Sequence, residues 1–184
     1  ALIERDHEVD LVLTALVARE HVLLVGPPGC GKSLLLDAVM RWVGGTTFTC
    51  LLTRFTTPEE LFGPVSVAGL KEDRYRRVTA GKLPEADGCF VDEVFKGSSA
   101  ILNTLLRLLN ERVFDPGDGV PVKCPLRLCV AASNEWPGGQ EAGQELNALF
   151  DRFLLRRTVR PIATAAGRQR LLWSADHTPE LTGT

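Results

Sequence analysis

One glycine-rich stretch ends in a lysine and a serine, Gly26-Pro-Pro-Gly-Cys-Gly-Lys-Ser33, at the spacing that wraps backbone amides around a triphosphate. Its glycines allow close backbone approach, so that successive N–H groups and the N-terminus of a following helix face phosphate oxygens. We expect Lys32 to reach the β- and γ-phosphates and the Ser33 hydroxyl to bind Mg²⁺. The alternative is a Gly-Pro turn without a ligand. The residues assigned to nucleotide binding are Gly29, Cys30, Gly31, Lys32, Ser33 and Leu34.

Two adjacent acids, Asp92 and Glu93, follow the short apolar run 89–91. Ligands gather at the carboxyl ends of the strands of an open α/β sheet, so this pair is expected beside the glycine-rich loop. Asp92 would then help to hold the Mg²⁺ shell, and Glu93 would polarise the water that attacks the γ-phosphate. Without the loop, an apolar strand ending in Asp-Glu would be equally compatible with a solvated turn.

Asn134 follows another apolar run, 126–131. A neutral amide at a strand end can hydrogen-bond both the γ-phosphate and the attacking water without adding charge. Asn is also favoured in turns, and a turn before Trp136-Pro137 is the alternative interpretation. The motifs together predict an enzyme that hydrolyses ATP with Mg²⁺ as cofactor. GTP is disfavoured because the chain has no Asn-Lys-x-Asp motif to recognise guanine.

The elements that position these residues alternate between strand and helix, which predicts an α/β fold with a mostly parallel, five-stranded sheet between helices. The stretch 63–83 mixes apolar and charged residues in a hairpin-like pattern and is expected to be an exposed insertion. Ser98 is a candidate N-cap. Strands are predicted at 22–25, 46–51, 89–91, 126–131 and 154–155, and helices at 6–19, 34–43 and 98–110.

The composition limits the possible classes of protein. The chain has 184 residues, of which 45% are hydrophobic, enough for one domain with a substantial core. Its net charge of −2 argues against nonspecific binding to nucleic acid. Five cysteines without a CxxC pair, and no apolar run of about 18 residues, lead us to expect a cytoplasmic protein without a membrane span. The thiol of Cys30 is expected to be exposed when nucleotide is absent.

The order of motifs resembles the ATPase core of MoxR-type AAA+ proteins, of the branch that includes RavA. The resemblance covers about residues 2–160, and its most specific part is the Asp-Glu-Val-Phe-Lys segment followed by Leu-Asn-Glu-Arg. The matching strings are Leu2-Ile-Glu-Arg5, the glycine-rich loop, Glu60-Leu-Phe-Gly63, Phe90-Val-Asp-Glu-Val-Phe-Lys96, Ile101-Leu-Asn-Thr-Leu-Leu106, Leu109-Asn-Glu-Arg112, Ser133-Asn134 and Leu149-Phe-Asp-Arg-Phe153.

The resemblance implies roles for residues that the motifs leave open. Asn134 matches the sensor-1 position. Arg152 matches the arginine finger that one subunit directs at the γ-phosphate of ATP bound to its neighbour, although a surface arginine paired with Asp151 is the alternative. Ile3 matches the position whose backbone lies near the adenine, although a plain core residue is the alternative.

The resemblance also implies an architecture. Residues 1–160 would form the AAA+ core, with 63–83 as the helix-2 insertion hairpin and 113–123 as a hairpin before the sensor strand. Residues 161–184 would be a tail or the start of a linker, and the C-terminal helical lid is expected to be absent. Basic residues of the insertion would contact a client or simply be solvated.

The implied function is ATP-driven remodelling or chaperone-like activation of a protein partner by a homo-oligomeric ring, usually a hexamer. The implied partners carry von Willebrand factor A domains. Two other functions stay open at this point: a DNA-associated AAA+ motor, which the near-neutral charge weakens, and a nucleotide-gated scaffold without efficient turnover.

Overall fold

The computed structural model describes residues 2–136 and 144–173. The strands are β1 (Val22–Val25), β2 (Thr47–Leu51), β3 (Gly88–Asp92), β4 (Val113–Phe114), β5 (Val122–Lys123), β6 (Leu128–Ser133) and β7 (Leu155–Thr158). The helices are α1 (Asp6–Ala18), α2 (Lys32–Val43), α3 (Pro58–Phe62), α4 (Val67–Lys71), α5 (Ser99–Glu111), α6 (Gln144–Asp151) and α7 (Ala165–Trp173). Within the described residues, five parallel strands form one sheet in the order β2-β3-β6-β1-β7. This confirms the predicted fold class.

Helices cover both faces of the sheet because the central strands are apolar on both sides. Leu23 and Val25 of β1 belong to a core cluster with the buried side chains of α3 and α5. Their neighbours Val22 and Leu24 belong to a second cluster with α1 and α2. A parallel sheet buried on both faces accounts for the continuous hydrophobic runs that mark its strands in the sequence.

The register of the sheet brings the candidate site residues to one edge. Val25, the last residue of β1, pairs with Ser133 at the end of β6, and Val91 of β3 pairs with Ala131. The Gly26 N–H also donates to the Ser133 carbonyl at 3.0 Å. The glycine-rich loop therefore begins beside the end of β6, one strand away from the end of β3.

Some predicted boundaries differ from the structure. The strand predicted at 126–131 runs two residues later, because pairing with β3 begins where Leu128 lies opposite Gly88, and the strand continues to Ser133 beside β1. The helix predicted at 6–19 ends at Ala18, and Val17 near this end is 85% exposed, where the chain turns towards β1.

The insertion at 63–83 contains one antiparallel bridge, between Val65 and Arg77, instead of a regular hairpin ladder. Between these two residues the chain forms α4, whose N-cap Ser66 accepts a hydrogen bond from the Gly69 N–H at 3.1 Å. The capping serine and the short helical turn replace the strand pairing that the alternating residues predicted. The side chains of Val67 and Leu70 are exposed, as expected for an insertion.

The stretch 113–123 does form a hairpin, in which Val113 of β4 pairs with Lys123 of β5. It contacts the insertion through the Arg77 N–H, which donates to the Pro116 carbonyl at 2.8 Å. An ion pair of 3.6 Å joins Arg76 to Asp118. The hairpin 113–123 and the insertion 63–83 therefore stabilise each other.

The stretch expected to be a tail contains α7, which begins at Ala165. The remainder of that stretch, 174–184, lies outside the described residues, as does Pro137. Across the two described ranges, every helix falls short of the length and apolarity that crossing a bilayer requires.

Candidate functional site

The glycine-rich loop connects β1 to α2, and its backbone takes conformations that favour glycine. Gly29 and Gly31 have φ of 78° and 74°, in the left-handed region. The Lys32 ammonium folds back into the loop, where it donates to the carbonyl oxygens of Gly26 at 2.6 Å and Pro27 at 3.0 Å. Lys32 is only 6% exposed, so its charge is held by loop carbonyls in a position enclosed by protein. Ser33 follows on the first turn of α2.

The acidic pair lies at the end of β3, as predicted. Asp92 is the last residue of the strand, and its Oδ1 accepts the Glu93 N–H at 3.0 Å. Glu93 adopts a left-handed φ of 51°, which is uncommon for a side chain other than glycine, and it is 8% exposed. Its strained backbone is a feature found at many functional sites.

The Glu93 carboxylate has a partner on each oxygen. Oε1 accepts a hydrogen bond from the Asn134 amide, which joins the end of β6 to the end of β3. Oε2 lies 3.3 Å from the Lys96 ammonium, one turn further along the chain. The sequence predicted Asn134 near this site, but it did not indicate the hydrogen bond between Asn134 and Glu93 or the ion pair between Lys96 and Glu93. The only signal for Lys96 is its position three residues after Glu93.

A cavity of about 390 Å³ opens beside the loop and is lined mainly by apolar groups. Ile3 is buried in its wall, which fits both the contact with adenine that the resemblance implied and the alternative of a plain core residue, and Leu34 contributes from α2. A mainly apolar cleft with a few polar groups suits a planar nucleobase. The lining residues are Leu2, Ile3, Arg5, Pro27, Pro28, Gly29, Cys30, Gly31, Leu34, Pro161, Ile162, Arg168 and Leu171.

Cys30 differs from expectation. Cys30 is buried, because its side chain packs with the apolar cluster between α1, α2 and the sheet. The structure therefore does not show the exposed thiol that the sequence led us to expect. Burial in an apolar cluster makes it resemble a structural cysteine.

Sequence reasoning assigned no role to Arg5, which lines the cavity, or to its neighbour Glu4. Arg5 is buried and donates to the carbonyl oxygens of Cys30 and Arg160. The Glu4 carboxylate accepts hydrogen bonds at the start of α7, and the one from the Thr164 hydroxyl is the main reason that the pKa of Glu4 is lowered. Both residues belong to the string Leu2-Ile-Glu-Arg5 that resembles the family, but the string gave no indication of these contacts.

Arg152 makes no hydrogen bond or ion pair with these groups in the described part of the chain. It follows α6 and is exposed, and its side chain makes no hydrogen bond or ion pair with any other described residue. Asp151, its alternative partner, instead lies 3.9 Å from Arg156. The surface ion pair proposed as the alternative for Arg152 is therefore not formed.

The oxygen atoms at this edge of the sheet suit a hard cation. The Ser33 hydroxyl and the Asp92 carboxylate are oxygen donors of the kind that Mg²⁺ prefers, together with substrate phosphates and water. No cluster of three His, Cys, Asp or Glu side chains that could hold a metal ion occurs in 2–136 or 144–173.

Comparisons with known proteins agree with this geometry. Residues 1–180 match the family described as the MoxR domain in the MoxR-vWA-beta-propeller ternary systems. An uncharacterized protein of Methanocaldococcus jannaschii is 44% identical over 171 residues, which cover 92% of this chain and 44% of that protein. Chaperone MoxR1 of Mycobacterium tuberculosis is 29% identical over 160 residues, covering 86% of this chain and 41% of that protein. The chain thus spans less than half the length of these relatives.

The fold has solved counterparts as well. The crystal structure of a putative ATPase from Cytophaga hutchinsonii superposes with a TM-score of 0.72 at 18% identity, covering 96% of this chain and 53% of that one. At that identity the likeness concerns the fold alone. With the family match across nearly the whole sequence, it leads to one conclusion: the chain belongs to the MoxR family of AAA+ ATPases.

Proposed function

We propose that this chain binds Mg·ATP and hydrolyses the γ-phosphate, and that hydrolysis drives remodelling of a protein partner. One observation carries the proposal: three features meet at the same edge of the sheet. They are the glycine-rich loop with Lys32, the acidic pair at the end of β3, and Asn134 just after β6, which contacts Glu93. This is the arrangement that phosphoryl transfer needs, because its catalysis consists mainly of positioning and charge stabilisation.

The loop would bind the triphosphate through the backbone amides of residues 29–34. Lys32, now bound to loop carbonyls, would exchange them for the β- and γ-phosphate oxygens without leaving its enclosed position. Ser33 and Asp92 would hold Mg²⁺, directly or through water. Bound Mg²⁺ would neutralise the charge that develops on the phosphate oxygens.

Glu93 would orient the attacking water and accept its proton while the bond between the γ-phosphorus and the bridging oxygen breaks. Asn134 already lies beside this carboxylate and would orient the same water and the γ-phosphate. Because Arg152 is exposed and unpaired in the described part of the chain, it is free to reach ATP on a neighbouring subunit.

A finger supplied by a neighbour requires an oligomer, and we propose a homo-oligomeric ring, most simply a hexamer. The family description, which joins MoxR domains with vWA proteins, supports a von Willebrand factor A domain protein as the partner. We also propose that the protein belongs to the RavA-like branch and acts in the cytoplasm, where ATP is abundant and where its five unpaired cysteines would stay reduced.

The decisive experiment compares phosphate release by the full natural chain with that by its Glu93→Gln variant. Removing a general base should lower the turnover at least about 100-fold. ATP affinity should change little, because the loop and Lys32 are untouched. Glu111→Gln is the matched control, since Glu111 is an exposed glutamate paired with Arg107 on α5. Equal release by the wild type and Glu93→Gln would remove Glu93 from the mechanism.

A further inference from the structure

Two charged residues, Glu4 and Arg5, lie between the glycine-rich loop and helix α7. Arg5 uses three guanidinium nitrogens for three carbonyl oxygens: Nε donates to Cys30 at 3.1 Å, Nη2 to Arg160 at 2.8 Å and Nη1 to Glu4 at 2.8 Å. It is 6% exposed, so these hydrogen bonds are shielded from water. One side chain therefore joins the phosphate-binding loop to the segment that leads into α7.

Glu4 makes the second connection, at the start of α7. Its carboxylate accepts the Ala163 N–H at 2.8 Å, the Thr164 N–H at 3.2 Å and the Thr164 hydroxyl. The Thr164 Oγ1 in turn accepts the Gly167 N–H at 2.9 Å, in the manner of a helix N-cap. A negative carboxylate at this end of a helix is also favoured by the helix dipole.

Gly167 leaves the space that the contact between the Glu4 carboxylate and the start of α7 requires. A Cβ at this position would overlap Glu4 Oε1 and lie 2.7 Å from Ile162 Cγ2. Any other residue at 167 would push the Glu4 carboxylate away or move α7. The contact between Glu4 and α7 therefore depends on position 4 and on positions 164 and 167, which follow it by about 160 residues.

The segments joined in this way both line the cavity beside the loop. Gly29 and Cys30 line it from the loop side, whereas Ile162, Arg168 and Leu171 line it from the side of α7. Their spacing sets the width of the cleft. A planar base held between apolar walls loses affinity when the walls move apart, because dispersion contacts weaken steeply with distance.

We propose that Glu4 and Arg5 are positioning residues that hold α7 against the phosphate-binding loop, and so set how tightly the nucleobase, as distinct from the triphosphate, is bound. The inference rests on the proposed function, because it assumes that the cavity receives the base. Neither residue needs to touch the phosphates. A nucleotide seated in the cleft would in return favour the closed position of α7.

Titration calorimetry on the full natural chain tests this with two ligands, ATP and inorganic tripolyphosphate, which lacks the base. Thr164→Val removes the hydroxyl at nearly constant volume, and Thr164→Ser restores it. Thr164→Val should lower ATP affinity about threefold, as expected for a hydrogen bond lost at an exposed position, and leave tripolyphosphate affinity unchanged. Thr164→Ser should bind both ligands as the wild type does.

Gly167→Ala is an independent variant, because its added Cβ displaces the Glu4 carboxylate. It should also lower the ratio of ATP affinity to tripolyphosphate affinity. If Thr164→Val and Gly167→Ala both keep the wild-type ratio, the positioning role is wrong while nucleotide binding stands. If they weaken both ligands equally, the contact supports the whole loop and the proposal is also wrong. If the wild type binds neither ligand, the proposed function itself fails.

Discussion

His21 precedes β1 and is a buried imidazole held on both sides. Its Nδ1 accepts the Cys129 N–H at 3.0 Å, which places the ring proton on Nε2, 3.2 Å from the Leu109 carbonyl oxygen. The Arg112 guanidinium lies beside the ring, with its Nη1 2.7 Å from His21 Nε2. Burial, and secondarily the charge of Arg112, lower the pKa of His21 to about 4.

This pKa predicts a pH-dependent stability. Between pH 6.5 and 4 the unfolded chain binds a proton at His21 that the folded chain excludes, so the free energy of unfolding falls as the pH falls through this window. The loss is at most about 3 kcal/mol and is absent above pH 7. Urea unfolding at successive pH values should show a shallower decline for His21→Gln than for the wild type.

The matched control is His7→Gln, because His7 is an exposed histidine on α1. This variant should keep the wild-type decline. The same decline in His21→Gln would show that other groups cause it.

At the level of single residues, the sequence predicted the positions of the acidic pair and of the side chains proposed to bind phosphate, because these depend on local spacing. Lys32 and Ser33 are adjacent in a motif, and Asp92 and Glu93 end a strand. Arg5 could not be found in this way, because its partners lie 25 and 155 residues away in sequence and are backbone carbonyls, which any residue carries.

At the scale of elements, the base of the insertion depends on close approach of two segments. Gly63 ends α3 with a φ of 94°, and a Cβ there would overlap the carbonyl oxygen of Val78. The Val78 N–H donates to the Pro64 carbonyl at 2.8 Å, which closes the insertion. A side chain at 63 would have to separate these segments.

We therefore expect Gly63→Ala to destabilise the protein more than Gly81→Ala. Both positions have a positive φ, 94° and 69°, so both variants bear the backbone strain, but a Cβ at Gly81 meets no atom within 4 Å. The difference should be about 1 to 3 kcal/mol in urea unfolding, the usual cost of overpacking. Amide exchange at Val78 should accelerate in Gly63→Ala. Equal effects of the two variants would mean that the segments separate freely.

The insertion is a part of the fold whose secondary structure the sequence did not predict correctly. The hairpin-like mixture of apolar and charged residues over 63–83 led us to expect an exposed hairpin insertion. In the structure, the N-cap Ser66 and the following Val-Ala-Gly-Leu form a short helix, and the strand pairing described there is the single bridge at Val65. The sheet was predictable because each of its central strands is buried on both faces. An exposed segment lacks that burial, so local capping decides its form.

At the scale of the whole molecule, the proposed site of one subunit is physically connected to the helix that precedes its own Arg152. Phe150 of α6 contacts Trp136, two residues after Asn134, with ring centroids 6.2 Å apart. It also contacts Phe95, two residues after Glu93, at 6.3 Å. The Arg156 guanidinium covers the same ring at 3.8 Å. The aromatic contacts join the proposed hydrolytic residues to the segment that would serve the neighbouring subunit.

If each ATP site is completed by a neighbouring subunit, two inactive variants should recover activity when they are mixed in one ring. Arg152→Ala and Glu93→Gln should each lower phosphate release at least about 100-fold, the first by removing the finger and the second by removing the base. In a mixed ring, an Arg152→Ala subunit keeps its own Glu93 and receives Arg152 from a Glu93→Gln neighbour. Random mixing in equal amounts should therefore restore about a quarter of the wild-type rate, since head-to-tail interfaces pair each site with one neighbour. Co-purification of differently tagged subunits confirms mixing, and mixed rings without recovered activity would show that Arg152 does not act between subunits.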